Sequence, residues 1–240
     1  MEAAQSPQGK KLSVGDVINE TFSIYGQNAV ALIGSALAIF VVVGLVAGIL
    51  QDEGGAVLLL LAAAVRFAGQ ALYTGFVVNL VSDARDGRRD QSVGDLISSA
   101  MPAILPLIAF GILFGIGVAI GFVLLIIPGL ILLTFWCVGA PAIVVEGIGP
   151  FAAFKRSWDL VRGDAWSVFA TLVVVLLILI VIGAVLGAIG GAIGVGGLVV
   201  ASIIAGAITA PIWAIAVSVM YFDLGGAPAA PAAPAAPVTG

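Results

Sequence analysis

Apolar runs long enough to cross a membrane recur six times along this chain, separated by short polar or glycine-rich breaks. A helix rising 1.5 Å per residue needs roughly 20 apolar residues to cross hydrocarbon. Runs of about that length lie at Ala29–Leu50, Gly55–Val81, Ala103–Ile127, Gly129–Val145, Ala165–Ala188 and Val195–Phe222. Between the third and fourth, Ile127-Pro128-Gly129 interrupts a nearly continuous stretch. One helix through it would overshoot the bilayer, so a tight turn is expected there. Pro211 predicts a kink in the last span, with Ser202, Thr209 and Ser218 available to reconnect the backbone groups it frees.

The polar segments are patterned too. Ser13-Val14-Gly15-Asp16 and Ser92-Val93-Gly94-Asp95 each fit a helix N-cap with a carboxylate in the first turn. Val14, Val17, Ile18, Phe22 and Tyr25 then recur at helical spacing, as do Val93, Leu96, Ile97, Ala100 and Met101. In a third segment, Gly149-Pro150 suits a helix start, and Phe151, Phe154, Trp158 and Val161 form one stripe with Lys155, Asp159 and Arg162 off it. Such short amphipathic helices are expected in the headgroup layer, the alternative being water-facing linkers. Thr21-Phe22-Ser23-Ile24 also matches Ser157-Trp158-Asp159-Leu160, and Asn28-Ala29-Val30 matches Asp164-Ala165-Trp166 at the same offset. The expected fold class is therefore an all-α membrane protein of six transmembrane helices in three hairpins. Each hairpin is preceded by a cytoplasmic interfacial amphipathic helix, giving parallel repeats.

Lys and Arg fix the orientation. Lys10, Lys11, Arg85, Arg88, Arg89, Lys155, Arg156 and Arg162 fall in alternate polar segments, eight of the nine basic residues, and the intervening loops hold none. The positive-inside rule then places both termini in the cytoplasm. The first 28 residues lack the apolar core of a signal peptide, so the first span is expected to direct its own insertion. The expected organisation is a disordered segment 1–12, a six-helix domain 13–224, and a disordered Ala/Pro-rich cytoplasmic tail 225–240.

Composition narrows the chemistry. With 62% hydrophobic and 9% charged residues and a mean hydropathy of +1.25, the chain cannot coat a soluble domain. There is no His and only one Cys, Cys137, in an apolar run, so no disulfide framework, metal cluster or cofactor is expected. No basic block points to nucleic acid.

Arg66 is the one charge inside a span; on insertion scales such a residue costs about 2.5–3.5 kcal/mol. Gln70, Tyr73 and Thr74 follow it at helical spacing. Arg66 and Gln70 could bind an anion or lipid phosphate, which suits a guanidinium. Alternatively, Arg66 could bond helix-end carbonyls or snorkel towards Asp52 and Glu53. Glu146 is positioned to form a structural ion pair with Lys155, Arg156 or Arg162. Lys155, Arg156, Trp158 and Arg162 could engage anionic headgroups, or serve topology alone. Gly44/Gly48, Gly111/Gly115, Gly117/Gly121 and Gly183/Gly187 have the spacing that permits close helix contact. The Gly-rich turn at 187–197 lacks the Lys-Ser/Thr of a phosphate loop.

The stretch Pro128–Trp166, with Pro128-Gly129, Trp136, Ala140-Pro141, Glu146-Gly147, Ala153, Ser157-Trp158 and Arg162-Gly163, resembles a known family. It is that of the membrane domain of glycerophosphoryl diester phosphodiesterases, with the related YciC-like bacterial membrane proteins. Met220-Tyr221-Phe222-Asp223-Leu224, after Pro211, resembles the family's ending. The resemblance implies a six-helix fold in a prokaryotic plasma (inner) membrane. It supplies no activity, because hydrolysis in the phosphodiesterases belongs to a separate soluble barrel using acidic, His and metal groups. The leading expectation is a non-enzymatic membrane protein that engages membrane lipids, another membrane protein or a second copy of itself. The alternative is a small transporter or channel for an anionic or lipid-like solute using Arg66. An intramembrane enzyme ranks last, for want of His, an Asp pair or a reactive Cys.

Overall fold

The structure is a computed structural model and describes residues 12–52, 55–86 and 92–226. Within these residues the chain forms α1 (Val14–Asp52), α2 (Ala56–Asp86), α3 (Val93–Ala100), α4 (Ile104–Leu124), α5 (Ile126–Trp136), α6 (Gly139–Glu146), α7 (Pro150–Val161), α8 (Ala165–Ile193) and α9 (Val195–Asp223). A single 3-10 turn, Met101–Ala103, joins α3 to α4. Six helical stretches are long and apolar enough to cross a membrane: α1, α2, α3 with α4, α5 with α6, α8 and α9. A helix satisfies its own backbone polar groups, which hydrocarbon cannot do. The chain is a multi-pass membrane protein.

The first boundary falls where expected: α1 is two helical stretches joined across a kink at Asn28 (φ −121°, ψ 16°), whose side-chain amide donates to the Ile24 carbonyl at 3.0 Å. Asp164, at the start of α8, has nearly the same backbone angles (φ −133°, ψ 30°). Several other boundaries differ from the sequence expectation, each for a local reason. The third break falls at extended Leu125 (φ −166°, ψ 152°), not at Pro128-Gly129. Pro128 lies inside the first turn of α5, where a missing N–H leaves no helical acceptor unsatisfied. The fourth span is itself broken at Cys137-Val138, so α5 and α6 are separate helices. The Gly-rich turn at 187–197 contracts to Gly194 (φ +103°), with helix on both sides.

Both ends of the described helices are tied down. Leu12 is buried in the main core. At the other end, Gly226 N–H donates to the Tyr221 carbonyl (2.9 Å) and Gly225 N–H to that of Phe222 (3.1 Å), with Gly225 at φ +87°. This pair of bonds is a Schellman cap that satisfies the last carbonyls of α9. The rest of the Ala/Pro tail and the residues before Leu12 lie outside the described residues. Gly225→Ala should lower stability by about 1 kcal/mol, because a side chain strains a left-handed residue. Gly163→Ala, at a residue facing open space, should leave it unchanged. Thermal unfolding of both variants in detergent micelles tests this contrast.

Helices α2 and α9 are central. α1 packs on both, α8 on α9 and α1, α4 on α5 and α2, and α6 on α7 and α2. The core lies towards one end of the bundle, where Tyr73, Phe76, Val77 and Val81 of α2 meet Ile215, Val219, Met220 and Tyr221 of α9. At the other end the large apolar side chains face outward, among them Leu59–Leu61, Phe122–Ile127 and Leu198–Val200. In a lipid solvent that exposure carries no hydrophobic penalty, which explains how the far half can stay thinly packed.

Glycine decides which faces meet. Of the four spaced pairs, Gly117/Gly121 is used inside the chain: a side-chain carbon on Gly117 would strike the Trp136 ring, and one on Gly121 would lie 2.9 Å from Gly129 Cα. Gly111, Gly115, Gly183, Gly187 and Gly44 face open space. Other close approaches are Gly139 on Phe110, Gly69 on Val43, and Gly190 on Gly197.

Candidate functional site

The charged groups that the structure brings together sit at the well-packed end, where α2, α6 and α9 finish. Arg85, on the last turn of α2, reaches across to α1 and α9. Its Nε and Nη2 donate to the two carboxylate oxygens of Glu20 at 2.8 and 2.9 Å, and Nη2 also donates to Asp223 Oδ1 at 2.8 Å. The guanidinium lies 5.4 Å from the centre of the Phe222 ring. The two bonds to Glu20 give the planar, bidentate geometry that makes Arg–carboxylate pairs strong. Arg85 thus ties three helices together.

A second cluster lies alongside it. Arg156 of α7 donates from Nε to Glu146 Oε1 at 2.6 Å, and the fully buried Tyr221 donates its hydroxyl to the same oxygen at 2.7 Å. The Glu146 side chain is only 14% exposed, so a carboxylate at the end of α6 is held by α7 and α9 together. Gly147, at φ +66°, ends α6 and turns the chain towards α7.

Helix α7 is seated on the bundle. Ala153, Ser157 and Val161 are buried, and the Ser157 hydroxyl donates to the Phe135 carbonyl at 2.7 Å. Phe154 packs on Phe110 and Trp136, and Trp158 stacks on Phe135 with ring centres 4.1 Å apart. The buried face is therefore Ala153-Phe154-Ser157-Val161. The apolar stripe expected from the sequence included Phe151, which is 77% exposed. Small residues were missed because backbone proximity, not apolar size, selects them at a close helix contact.

The remaining predicted residues separate. Lys155 is exposed, and Arg162 is exposed with its Nη1 3.6 Å from Asp159 Oδ1. Arg156 is half-buried and committed to Glu146. Arg66 is exposed on α2, and no hydrogen bond or ion pair reaches it among the described residues. Glu53 and the side chain of Asp52, its suggested partners, lie outside the described residues, as do Lys10, Lys11, Arg88 and Arg89. The polar stripe expected to continue from Arg66 is split. Tyr73 is buried and donates to the Leu32 carbonyl of α1 (3.2 Å), Thr74 returns its proton to the Gln70 carbonyl (2.9 Å), and Gln70 is exposed. Glu20, Arg85, Asp223 and Tyr221 were not singled out as site residues, since Arg85 lies 65 and 138 residues from its two acidic partners. No local motif links positions so far apart.

Among the described residues no group of three His, Cys, Asp or Glu could hold a metal ion. Cys137 is buried and donates to the Thr134 carbonyl. What the arrangement offers chemically is a set of partly buried ion pairs, two guanidiniums against three carboxylates, with Lys155, Arg162, Phe151, Trp158 and Trp166 directed outward around it.

No solved structure matches the chain. It is similar to a UPF0259 membrane protein of Pectobacterium carotovorum subsp. carotovorum (strain PC1), with 32% identity over 130 residues, which is 53% of this chain and 52% of the relative. The chain therefore matches about half the length of that curated relative. A family model covers residues 25–189, more than half of the sequence and five of its six spans in whole or part, and on that match the chain belongs to the family described as Domain of unknown function (DUF7847).

Proposed function

We propose that the protein is a non-enzymatic membrane module whose well-packed end faces the cytoplasm and holds anionic lipid headgroups around α7. The observation that carries this reading is how α7 divides its residues. Its buried face and Arg156 are spent on the bundle, while Lys155, Arg162, Phe151 and the edge of Trp158 point away from it, with Trp166 82% exposed beside them. Basic groups interleaved with aromatic rings at one level suit a negatively charged headgroup layer, each base contributing about 1 kcal/mol. Three hairpins, each introduced by an interfacial helix, remain the organising scheme. Its support is the matched backbone angles at Asn28 and Asp164, which break the chain at corresponding places. The Lys and Arg residues of alternate polar segments, of which Arg85, Lys155, Arg156 and Arg162 are among the described residues, support cytoplasmic termini and a prokaryotic inner membrane. The resemblance of Pro128–Trp166 to the phosphodiesterase membrane domain is offered as common descent without shared activity.

Retention of phosphatidylglycerol tests the reading. Protein purified from mixed phosphatidylglycerol and phosphatidylcholine nanodiscs should keep the anionic lipid selectively, as read by native mass spectrometry. The double variant Lys155→Gln/Arg162→Gln should lose most of that selectivity without a change in unfolding temperature. Equal retention by the variant would sink the proposal. The transport alternative finds less support: Arg66 lines none of the larger cavities described for the bundle.

A further inference from the structure

Two open-sided pockets between the helices share one residue, Gln70, which is itself exposed. The larger, about 540 Å³, lies between α1, α2 and α9 and is walled by Phe40, Gly44 and Gly206 among others. The smaller, about 280 Å³, lies nearer the well-packed end, between α2, α4, α6 and α9. Gln70 lines both. The larger volume is within the range that holds small ligands, roughly 300–1,000 Å³, and the smaller is just below it. Neither wall contains an Asp, Glu, Lys or Arg.

The polar groups at the junction are few and have spare capacity. Among the described residues, the Gln70 amide has no hydrogen-bond partner, and neither has the indole N–H of Trp213, which lines the smaller cavity. Pro211 has no N–H for the carbonyl four residues earlier, that of Ala207, which lines the larger cavity. The hydroxyls expected to compensate do not reach it. Thr209 donates to Ala205, Ser202 to Val199 and Ser218 to Ala214. In hydrocarbon, backbone groups freed in this way normally find a partner or a ligand.

We propose that this junction is a binding site for a neutral lipid with a hydroxyl-bearing head, such as a monoacylglycerol. The alkyl chain lies in the larger cavity against Phe40 and Leu45, and the head sits at Gln70, where a hydroxyl both accepts from the amide or the Trp213 indole and donates to the Ala207 carbonyl. A charged head is disfavoured because no counter-charge lines either wall. The site stands apart from the α7 rim and does not depend on that rim's role.

Photolabelling tests it. The full chain in phosphatidylcholine nanodiscs is exposed to a monoacylglycerol carrying a diazirine on its acyl chain, and labelled peptides are mapped by mass spectrometry. Labelling should concentrate on residues 36–45 and 202–210 and be competed by unlabelled monoolein but not by oleate. Gly44→Leu and Gly206→Leu fill the larger cavity from opposite walls, each into space free of neighbouring atoms, and each should abolish the labelling. Gln70→Leu should reduce it about tenfold, the equivalent of one hydrogen bond. Labelling spread evenly over the lipid-facing helices and indifferent to both filling variants overturns the site. Competition by oleate equal to that by monoolein overturns the neutral head.

Discussion

Arg85→Met should be among the most destabilising single substitutions outside the apolar core. It removes the cation that Glu20 and Asp223 share, leaving two carboxylates close together with Val219 and Phe222 beside them. A fully exposed ion pair is worth roughly 0–1 kcal/mol, and breaking a buried one costs about 3–5 kcal/mol. The side-chain exposures here, 24% for Arg85, 35% for Glu20 and 29% for Asp223, place the cost between these limits. A loss of about 2–3 kcal/mol is expected, which thermal unfolding in detergent micelles would read. The triple variant Arg85→Met/Glu20→Gln/Asp223→Asn supplies the control. If orphaned charge is the cause, neutralising the partners should recover a large part of the loss. A triple variant as unstable as the single one would place the effect in packing of the Arg85 stem.

Gly121→Val should have a comparable effect by a different route. Helices α4 and α5 cross there with Gly121 against Gly129, and the added carbon would lie 2.9 Å from both the N and Cα of Gly129. Backbone cannot swing aside as a flexible side chain can, so the helices must separate. Overpacking of this kind costs about 1–3 kcal/mol, and here it would also disturb the Trp136–Phe154 contact that seats α7. Gly111→Val and Gly183→Val, both facing open space, should change the unfolding temperature little. All three glycines belong to the same spacing motif, so equal effects would show that the motif, not the local contact, decides.

Much of the local architecture could be read directly from the chain. Ser92 accepts from Asp95 N–H at 3.2 Å while Asp95 accepts from Ser92 N–H at 3.1 Å, the reciprocal cap expected of that tetrapeptide. Ser13 likewise accepts from Asp16 N–H. These features are local: the atoms involved are three residues apart, and backbone geometry alone brings them together. The turn before α5 was legible only approximately. Pro128 signals a nearby break, yet a proline is compatible with any position in a helix's first turn, so it marks the neighbourhood and not the residue.

Glu146 was legible as an acid near three basic residues. Its choice of Arg156 was decided by the seating of α7, and its second partner, Tyr221, comes from a helix 75 residues away. Arg66 and Gln70 illustrate the reverse. Helical spacing grouped them in one polar stripe, but α1 and α9 flank α2 so that Gln70 faces two cavities and Arg66 neither.

By itself, then, the sequence determined the class of solvent, six helical spans, the placement of basic residues in alternate polar segments, and the caps. Hydrophobic run length, charge placement and short-range hydrogen bonding all act within one element and need no fold to be expressed. The tertiary structure alone decided which glycines touch, how Arg85 joins three helices, and where Gln70 points. In a membrane every helix is apolar all round, so hydrophobic pattern cannot mark the inward face. That face is chosen by shape fit and by the few polar groups that find partners across the bundle.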